Sequence, residues 1–240
     1  GSEMCIRDRY YNLKEIDYSR KNIRHFPGLN GITAIIEKDS THMWIGTSTG
    51  LYLLEKATGK YTYIQMPVES YYIYSLCQAS DGMLYIGTNN AGLLVYDTTK
   101  NTFRHYHRDN CALISNNIYT LLSDGKGNIF LSTEHGLSTF YPVEETFHNW
   151  TKEQGLKSDH FNAASGTLRK NGNFIFGSTD GAIEFNKDMI LPRDYKFKMV
   201  FSDLRVFYQT VYPKDEGSPL ILDIDETKTL RLKYNQNIFS

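Results

Sequence analysis

The stretch Met83-Leu-Tyr-Ile-Gly-Thr-Asn-Asn-Ala-Gly-Leu-Leu-Val-Tyr-Asp97 decides the fold class of this 240-residue chain. It reads as a short apolar strand, a polar turn that ends at Gly92, and a second apolar strand. Similar stretches begin at Met43, Ile129 and Phe174. The turn glycine recurs every 42 to 45 residues, at Gly50, Gly92, Gly136 and Gly181. Short strands repeated with a period in the forties are typical of β-propeller blades.

The repeat predicts about four blades, each made of four antiparallel strands. Three complete blades are expected at residues 32–64, 72–106 and 118–150, and residues 10–27 read as the end of an earlier blade. A fourth blade at 161–186 is shorter, and its last strand is hard to place. Two-residue turns such as Asp81-Gly82 support these hairpins, because both positions favour a positive φ.

A small residue recurs inside the second strand of every predicted blade. Glycine within a strand marks the close approach of another backbone, and neighbouring propeller blades pack face to face. We therefore predict that the next blade packs against these positions, which are Gly46, Gly87, Ser132 and Gly177.

The two ends of the chain do not follow the repeat. Residues 1–9 match no blade and are expected to be non-native or disordered, so the propeller is assigned to 10–190. Beyond Pro192 the alternation of apolar and polar residues at 195–201 and 229–234 indicates strands of another kind. Residues 191–240 are predicted to begin a β-sandwich, and the fold class is therefore all-β.

Net charge, the length of apolar runs and the motifs present argue against several classes of function. A net charge of −1 without a stripe of lysine or arginine argues against a nucleic-acid partner. The longest apolar runs fall short of the roughly 18 residues that span a bilayer, so membrane attachment is expected only through segments beyond residue 240. No nucleophile elbow, phosphate loop or metal pattern appears, which predicts no catalysis, no cofactor and no metal. His105 and His107 share one strand face but lack a third ligand, and Cys77 reads as a buried thiol.

The candidate ligand site is one rim of the propeller. There the connections into the inner strands and the turns between the second and third strands meet on the same face. Aromatic rings suit stacking on sugars, while amides and carboxylates suit hydrogen bonds to hydroxyl groups. The alternative is that asparagine and aspartate shape the turns. The connections hold Tyr71, Tyr72, Asn116, Asn117, Asp159, His160 and Asn162, and the turns hold Asn89, Asn90, Glu134, His135 and Asp180.

Several of these stretches resemble a known family. The phrase Trp44-Ile-Gly-Thr-Ser-Thr-Gly-Leu51, with Ile32-Thr-Ala-Ile35 ahead of it, resembles the two-component regulator propeller repeat. The segments 201–207 and 230–240 resemble the opening of the Ig-like YYY domain that follows such propellers. The resemblance covers roughly residues 10 to 240.

This resemblance implies the periplasmic sensor region of a membrane-anchored bacterial histidine kinase, often of the hybrid type. Family members detect oligosaccharides, and the Ig-like domain relays the signal in a dimer. The chain would then hold the last blades of a larger propeller and would itself be non-catalytic. Two alternatives come from other classes: a protein-interaction scaffold, or a hydrolase or lyase with an acid–base pair near the propeller axis.

Overall fold

The computed structural model describes residues 3–7, 13–17, 22–26, 28–68, 72–186, 202–224 and 226–239. Almost all regular structure in these ranges is β-strand, with a single 3-10 turn at Lys152–Gln154. The predicted all-β class is confirmed. The chain divides into two compact units, Gly1–Pro192 and Arg193–Ser240. No helix in the described ranges is long and apolar enough to cross a bilayer.

The first unit is a series of antiparallel sheets in which each strand pairs with its neighbours in sequence. Its complete blades are three four-stranded sheets. The first is β4 (Ile32–Glu37), β5 (His42–Thr47), β6 (Gly50–Glu55) and β7 (Tyr61–Ile64). The second is β8 (Ile73–Gln78), β9 (Leu84–Thr88), β10 (Leu93–Asp97) and β11 (Thr102–Tyr106). The third is β12 (Ile118–Ser123), β13 (Ile129–Thr133), β14 (Gly136–Tyr141) and β15 (Thr146–Trp150).

Two three-stranded sheets flank these blades. The C-terminal one, the predicted short fourth blade, is β16 (Phe161–Leu168), β17 (Asn173–Ser178) and β18 (Gly181–Asn186). The N-terminal one is β1 (Glu3–Arg7), β2 (Leu13–Asp17) and β3 (Asn22–Phe26). The first strand of each later blade contacts that of the next, so β4, β8, β12 and β16 form the inner wall of an arc. This is the predicted four-blade propeller arrangement.

The N-terminus differs from the prediction. Residues 1–9 were expected to lie outside the fold, yet Glu3–Arg7 pairs along its whole length with β2, from Glu3 opposite Asp17 to Arg7 opposite Leu13. The strand is not followed by the glycine turn that marks the repeat, so the repeat does not predict it. Its alternation of Met4 and Ile6 with other residues is nevertheless compatible with a strand.

The small residue in the second strand has the predicted packing role in the first two complete blades. A Cβ on Gly46 would lie 2.8 Å from Cγ2 of Ile73 in the next blade. A Cβ on Gly87 would lie 2.8 Å from Cγ2 of Ile118 in the blade after that. Both isoleucines are fully buried and begin the inner strands β8 and β12. Each inner strand is therefore wedged against the glycine of the preceding blade.

In the third and fourth blades, the small residue differs in its identity or in the residue that lies against it. Ser132 stands at the equivalent position in the third blade and is fully buried. In the fourth blade the nearest atom to a Cβ on Gly177 is Cβ of Ser165, at 2.9 Å and within the same blade. The sequence pattern alone does not separate these two uses of a small residue.

A buried hydroxyl closes the turn between the second and third strands of each blade. It donates to the carbonyl oxygen of the turn glycine and accepts a backbone N–H from within the turn. Because both bonds stay inside the turn, the buried oxygen is satisfied and the turn is held in one shape. The four bonds to carbonyl oxygens are Thr47 to Gly50 at 2.9 Å, Thr88 to Gly92 at 2.7 Å, Thr133 to Gly136 at 2.9 Å and Ser178 to Gly181 at 2.6 Å.

Cys77 and Cys111 carry free thiols. Both pack against the core that β8 to β14 share. Burial raises the pKa of the Cys77 thiol to about 11, so it is protonated at neutral pH.

The second unit contains a short hairpin of β19 (Leu204–Val206) and β20 (Gln209–Val211). Its two turn residues, Phe207 and Tyr208, have φ values of 53° and 64°, which bulky side chains seldom adopt. Leu204, Val206 and Leu220 form a small buried core.

The alternating run at 229–234 was predicted to be a strand, and this prediction is wrong. Residues 229–234 pair with no other strand among the described residues. Besides the hairpin of β19 and β20, the pairing described in the second unit is a single bridge from Val206 to Phe239. Alternation shows that one face is apolar, but a strand also requires a neighbour to bond with. The other predicted run, 195–201, lies outside the described residues.

The wedge at Gly87 leads to a stability prediction. Gly87→Ala should lower the free energy of unfolding by about 1–3 kcal/mol, because the new methyl group overlaps Ile118. Urea denaturation followed by tryptophan fluorescence measures this. Ile118→Ala in the same chain should relieve part of the overlap, so the double variant should be more stable than the sum of the two single effects. Simple additivity would contradict the wedge.

Candidate functional site

The connections into the inner strands and the turns between the second and third strands lie side by side on one rim. In three blades a backbone N–H of the turn donates to the carbonyl oxygen of the residue just before the inner strand. Within each of these blades, the two parts of the predicted rim are therefore direct neighbours. The bonds are Ser48 to Gly31 at 2.9 Å, Asn89 to Tyr72 at 2.9 Å and Thr179 to His160 at 3.0 Å.

Asn117 is the centre of a hydrogen-bond network on this rim. Its Oδ1 accepts the backbone N–H of Asn90 at 2.8 Å, and its Nδ2 donates to Oε2 of Glu134 at 2.7 Å. Nδ1 of His160 donates to the backbone carbonyl of Glu134 at 3.0 Å, which fixes the proton of the neutral ring on Nδ1. The rim network of Asn90, Asn117, Glu134 and His160 thus joins the second, third and fourth blades.

A wall of three aromatic rings stands beside the network. The ring centroids of Tyr72 and Tyr74 are 5.0 Å apart, and those of Tyr74 and Tyr119 are 5.2 Å apart in an edge-to-face arrangement. Burial raises the pKa of Tyr74 and of Tyr119, and the negative charge of Glu134 raises both further. This tyrosine wall is half-buried and lies within electrostatic reach of the Glu134 carboxylate.

Sequence reasoning missed two members of the wall, Tyr74 and Tyr119. Each occupies a β-bulge: Ile73 pairs with Thr88 and Ser75 with Gly87, so Tyr74 is an extra residue on β8. The same shift on β12 leaves Tyr119 between two paired neighbours. Bulges redirect a side chain and often occur at functional sites. A signal existed, because in both blades a tyrosine directly follows the first apolar residue of the inner strand.

The remaining predicted rim residues lie at the edge of the network or outside it. The ring of His135 is exposed, and its centroid lies 6.5 Å from that of His160. Asp180 has its carboxylate 4.0 Å from Nζ of Lys152. Tyr71 lies outside the described residues. Their assignment to the ligand site stays a prediction.

Three predicted site residues direct their side chains to the backbone. Asn116 and Asp159 accept the backbone N–H groups of Arg108 and Lys152, at 2.9 and 2.6 Å. Asn162, on β16, donates to the backbone carbonyl of Ser178 at the end of β17, at 3.1 Å. The contacts of Asn116 and Asp159 are those of residues that shape connecting segments, the alternative that the sequence left open. These three contacts leave Asn116, Asp159 and Asn162 outside the rim network.

An open cleft of about 550 Å³ borders the network on its outer side. Nε2 of His105 lies 2.6 Å from the carbonyl oxygen of Ala91, and the centroids of the His105 and His107 rings are 4.7 Å apart. In the described part of the chain, no group of three or more His, Cys, Asp or Glu residues could hold a metal ion. The cleft is lined by Pro67, Val68, Asn90, Ala91, His105, His107, Asp109 and Asn116.

The arrangement suits binding more than bond cleavage. Ring faces, a fixed carboxamide, a carboxylate and an imidazole can stack on a ligand and exchange hydrogen bonds with its hydroxyl groups. Glycoside hydrolysis generally needs two carboxyl groups that face the same bond. Within the rim network as described, Glu134 is the single carboxylate, and it is held by Asn117.

One stretch of the repeat matches a family model. Residues 67–90, which include Tyr72 and Asn90, match the family model described as two component regulator propeller. The predicted resemblance to two-component regulator propellers is confirmed. A sequence relative, histidine kinase P4 of Formosa agariphila, is 24% identical over 221 residues. The match covers 88% of this chain but 16% of the kinase, so the chain spans a small part of its relative.

Solved structures share the fold. The extracellular domain of a putative one component system from B. thetaiotaomicron matches with a TM-score of 0.59 and 15% identity, over 98% of this chain and 39% of that one. PorZ, a bacterial surface component of the type-IX secretion system of Porphyromonas gingivalis, matches with a TM-score of 0.58 and 13% identity. That match covers 76% of this chain and 31% of PorZ. At these identities the likeness concerns the propeller fold alone.

The central position of Asn117 can be tested by hydrogen exchange. Asn117→Ala should speed exchange of the Asn90 backbone N–H and cost about 1–2 kcal/mol of stability, because it removes two hydrogen bonds. Asn149→Ala is the matched control, since Asn149 also makes two hydrogen bonds but on the outer strand β15. The control should destabilise the chain without a selective effect at Asn90. Unchanged Asn90 exchange in Asn117→Ala would remove Asn117 from the network.

Proposed function

We propose that this chain is the ligand-sensing part of a two-component sensor and that its ligand is an oligosaccharide. One observation carries the proposal: the tyrosine wall and the rim network lie together and connect three successive blades. The match of residues 67–90 to a two-component regulator propeller and the histidine kinase among its relatives support a sensing role.

The chemistry of the rim suits sugars. A pyranose has an apolar face of C–H groups that packs on tyrosine rings, and its edge carries hydroxyl groups that both donate and accept. Asn117 and Glu134 already hold each other at 2.7 Å, so their positions are set before a ligand arrives. Groups held in advance lose little conformational freedom on binding, which favours affinity.

The proposed signal leaves the propeller through the second unit. In this proposal residues 191–240 begin the Ig-like YYY domain, on the periplasmic side of a membrane-anchored protein, and the domain mediates dimer contacts in the longer chain. The parent chain is then a histidine kinase. A ligand can shift this system only by binding one of its states more tightly than the other. In this proposal the ligand contacts groups on the blades that the bond from His160 to the Glu134 carbonyl joins, and therefore binds the state with closely packed blades more tightly.

A protein-interaction scaffold is the second candidate, and the second unit favours it. Tyr208 and Ile221 there are 84% and 90% exposed, which is unusual for large apolar side chains. A scaffold would bind a protein partner through such residues and would have no specific use for the tyrosine wall. Binding of sugars by the first unit therefore separates the two candidates.

The sensor proposal is tested by substitution in the tyrosine wall. Once calorimetry with a panel of oligosaccharides has identified a binder, Tyr72→Ala and Tyr119→Ala should each weaken its affinity about tenfold, since a ring contact contributes about 0.5–1.5 kcal/mol beyond its buried area. Tyr61→Ala is the control, because Tyr61 is an exposed tyrosine on the outer strand β7. Equal effects of all three variants, or no binding by the wild-type chain, would contradict the proposal.

A further inference from the structure

The rim network contains one ionised side chain, the carboxylate of Glu134. The carboxylate is partly buried, and Asn117 holds one of its oxygens, Oε2, at 2.7 Å. Tyr119 of the tyrosine wall lies two residues after Asn117, the hydrogen-bond partner of Glu134. Burial is the main cause that raises the pKa of Tyr74 and Tyr119, and the negative charge of Glu134 adds to both shifts. A ligand stacked on the wall would therefore lie next to a fixed negative charge.

Within the rim network as described, no lysine or arginine is paired with the Glu134 carboxylate. No lysine or arginine side chain joins the rim network of Asn90, Asn117, Glu134 and His160 as described. Nζ of Lys152 instead lies 4.0 Å from the carboxylate of Asp180. Proteins that bind sulfate, phosphate or carboxylate groups usually do so with arginine or lysine, and arginine provides a fork of paired donors. The rim network, as described, contains no such arginine or lysine.

We infer that Glu134 is a specificity-determining residue, which selects oligosaccharides without negative charge and rejects those that carry carboxylate or sulfate groups at the tyrosine wall. This inference rests on the proposed function, because it assigns the class of sugar that the same site binds. The unoccupied lone pairs of the Glu134 carboxylate accept ligand hydroxyl groups, while the same charge repels an anionic substituent.

The proposed selectivity depends on electrostatic repulsion between the Glu134 carboxylate and an anionic sugar. Stacking on the tyrosine wall excludes water from around Glu134, and loss of water strengthens the interaction between charges. An anionic sugar must then either approach a like charge or forgo the ring contact. Building a repulsive element against the wrong ligand is a general route to specificity. Since salt screens charges that remain partly exposed, the discrimination should weaken as ionic strength rises.

The test uses matched pairs of sugars and the 240-residue chain. Gluco-, galacto- and manno-oligosaccharides are each compared with the uronic-acid oligomer of the same linkage and length, which differs in a carboxylate in place of the C6 hydroxymethyl group. Titration calorimetry at pH 8 keeps ordinary imidazoles neutral and carboxylates ionised. We expect at least one neutral oligomer to bind, and to bind at least tenfold more tightly than its uronic-acid partner.

Glu134→Gln assigns the discrimination to one residue. The amide oxygen can still accept from Asn117, so the variant removes the charge while retaining the bond. The ratio of the two affinities should fall about tenfold, chiefly because the uronic-acid oligomer binds more tightly. Glu153→Gln is the matched control, since Glu153 lies in the exposed 3-10 turn ahead of the fourth blade and loses the same charge. It should leave the ratio unchanged.

The outcomes separate the two proposals. A uronic-acid oligomer that binds the wild-type chain as tightly as its neutral partner overturns the selection by charge but supports oligosaccharide sensing. A ratio that Glu134→Gln leaves unaltered, in a variant with wild-type thermal stability, overturns the role of Glu134. Binding of neither class overturns the proposed function and this inference with it.

Discussion

The close contact between successive blades is the constraint on which the rest of the first unit depends. The methyl group of Ile73 occupies the space beside Gly46, and that of Ile118 occupies the space beside Gly87, so neither glycine position accepts a Cβ. Each wedge fixes the start of an inner strand relative to the preceding blade. The residue that follows the wedged isoleucine is the bulged tyrosine, so the packing of the core also sets the position of the tyrosine wall.

The buried hydroxyl groups of the turns fix the shape of the turns that form the rim. Thr88 and Thr133 are fully buried, and each bonds within the turn that presents Asn90 or Glu134. The backbone of these two candidate site residues is therefore held by bonds within the protein itself. Asn117 then adds a bond between two such turns. The site is built from turns, but its geometry derives from buried isoleucine, glycine and threonine beneath it.

The parts that could be predicted are those that repeat. The period of the glycine turns gave the blades, and glycine within the second strand gave the contact between Gly87 and the next blade. The rim network could not be predicted, because the bond from Asn117 to Glu134 joins residues that are neighbours only in space. Tyr74 was not predicted as a member of the candidate site, because a strand pattern with a period of two does not account for the extra residue of a β-bulge. The strand Glu3–Arg7 was not predicted, because it is not followed by the glycine turn that marks the repeat.

These features bear on how a propeller of this kind could signal. Blades wedged at glycine have little freedom to change shape internally, because close-packed interiors resist small displacements. Hydrogen bonds from one blade to the next, such as His160 to the Glu134 carbonyl, are broken more easily than the core contacts beneath them. A ligand that spans these bonds gains most when the blades are closely apposed. In the proposed sensor its binding energy therefore acts on the spacing of whole blades rather than on any single strand.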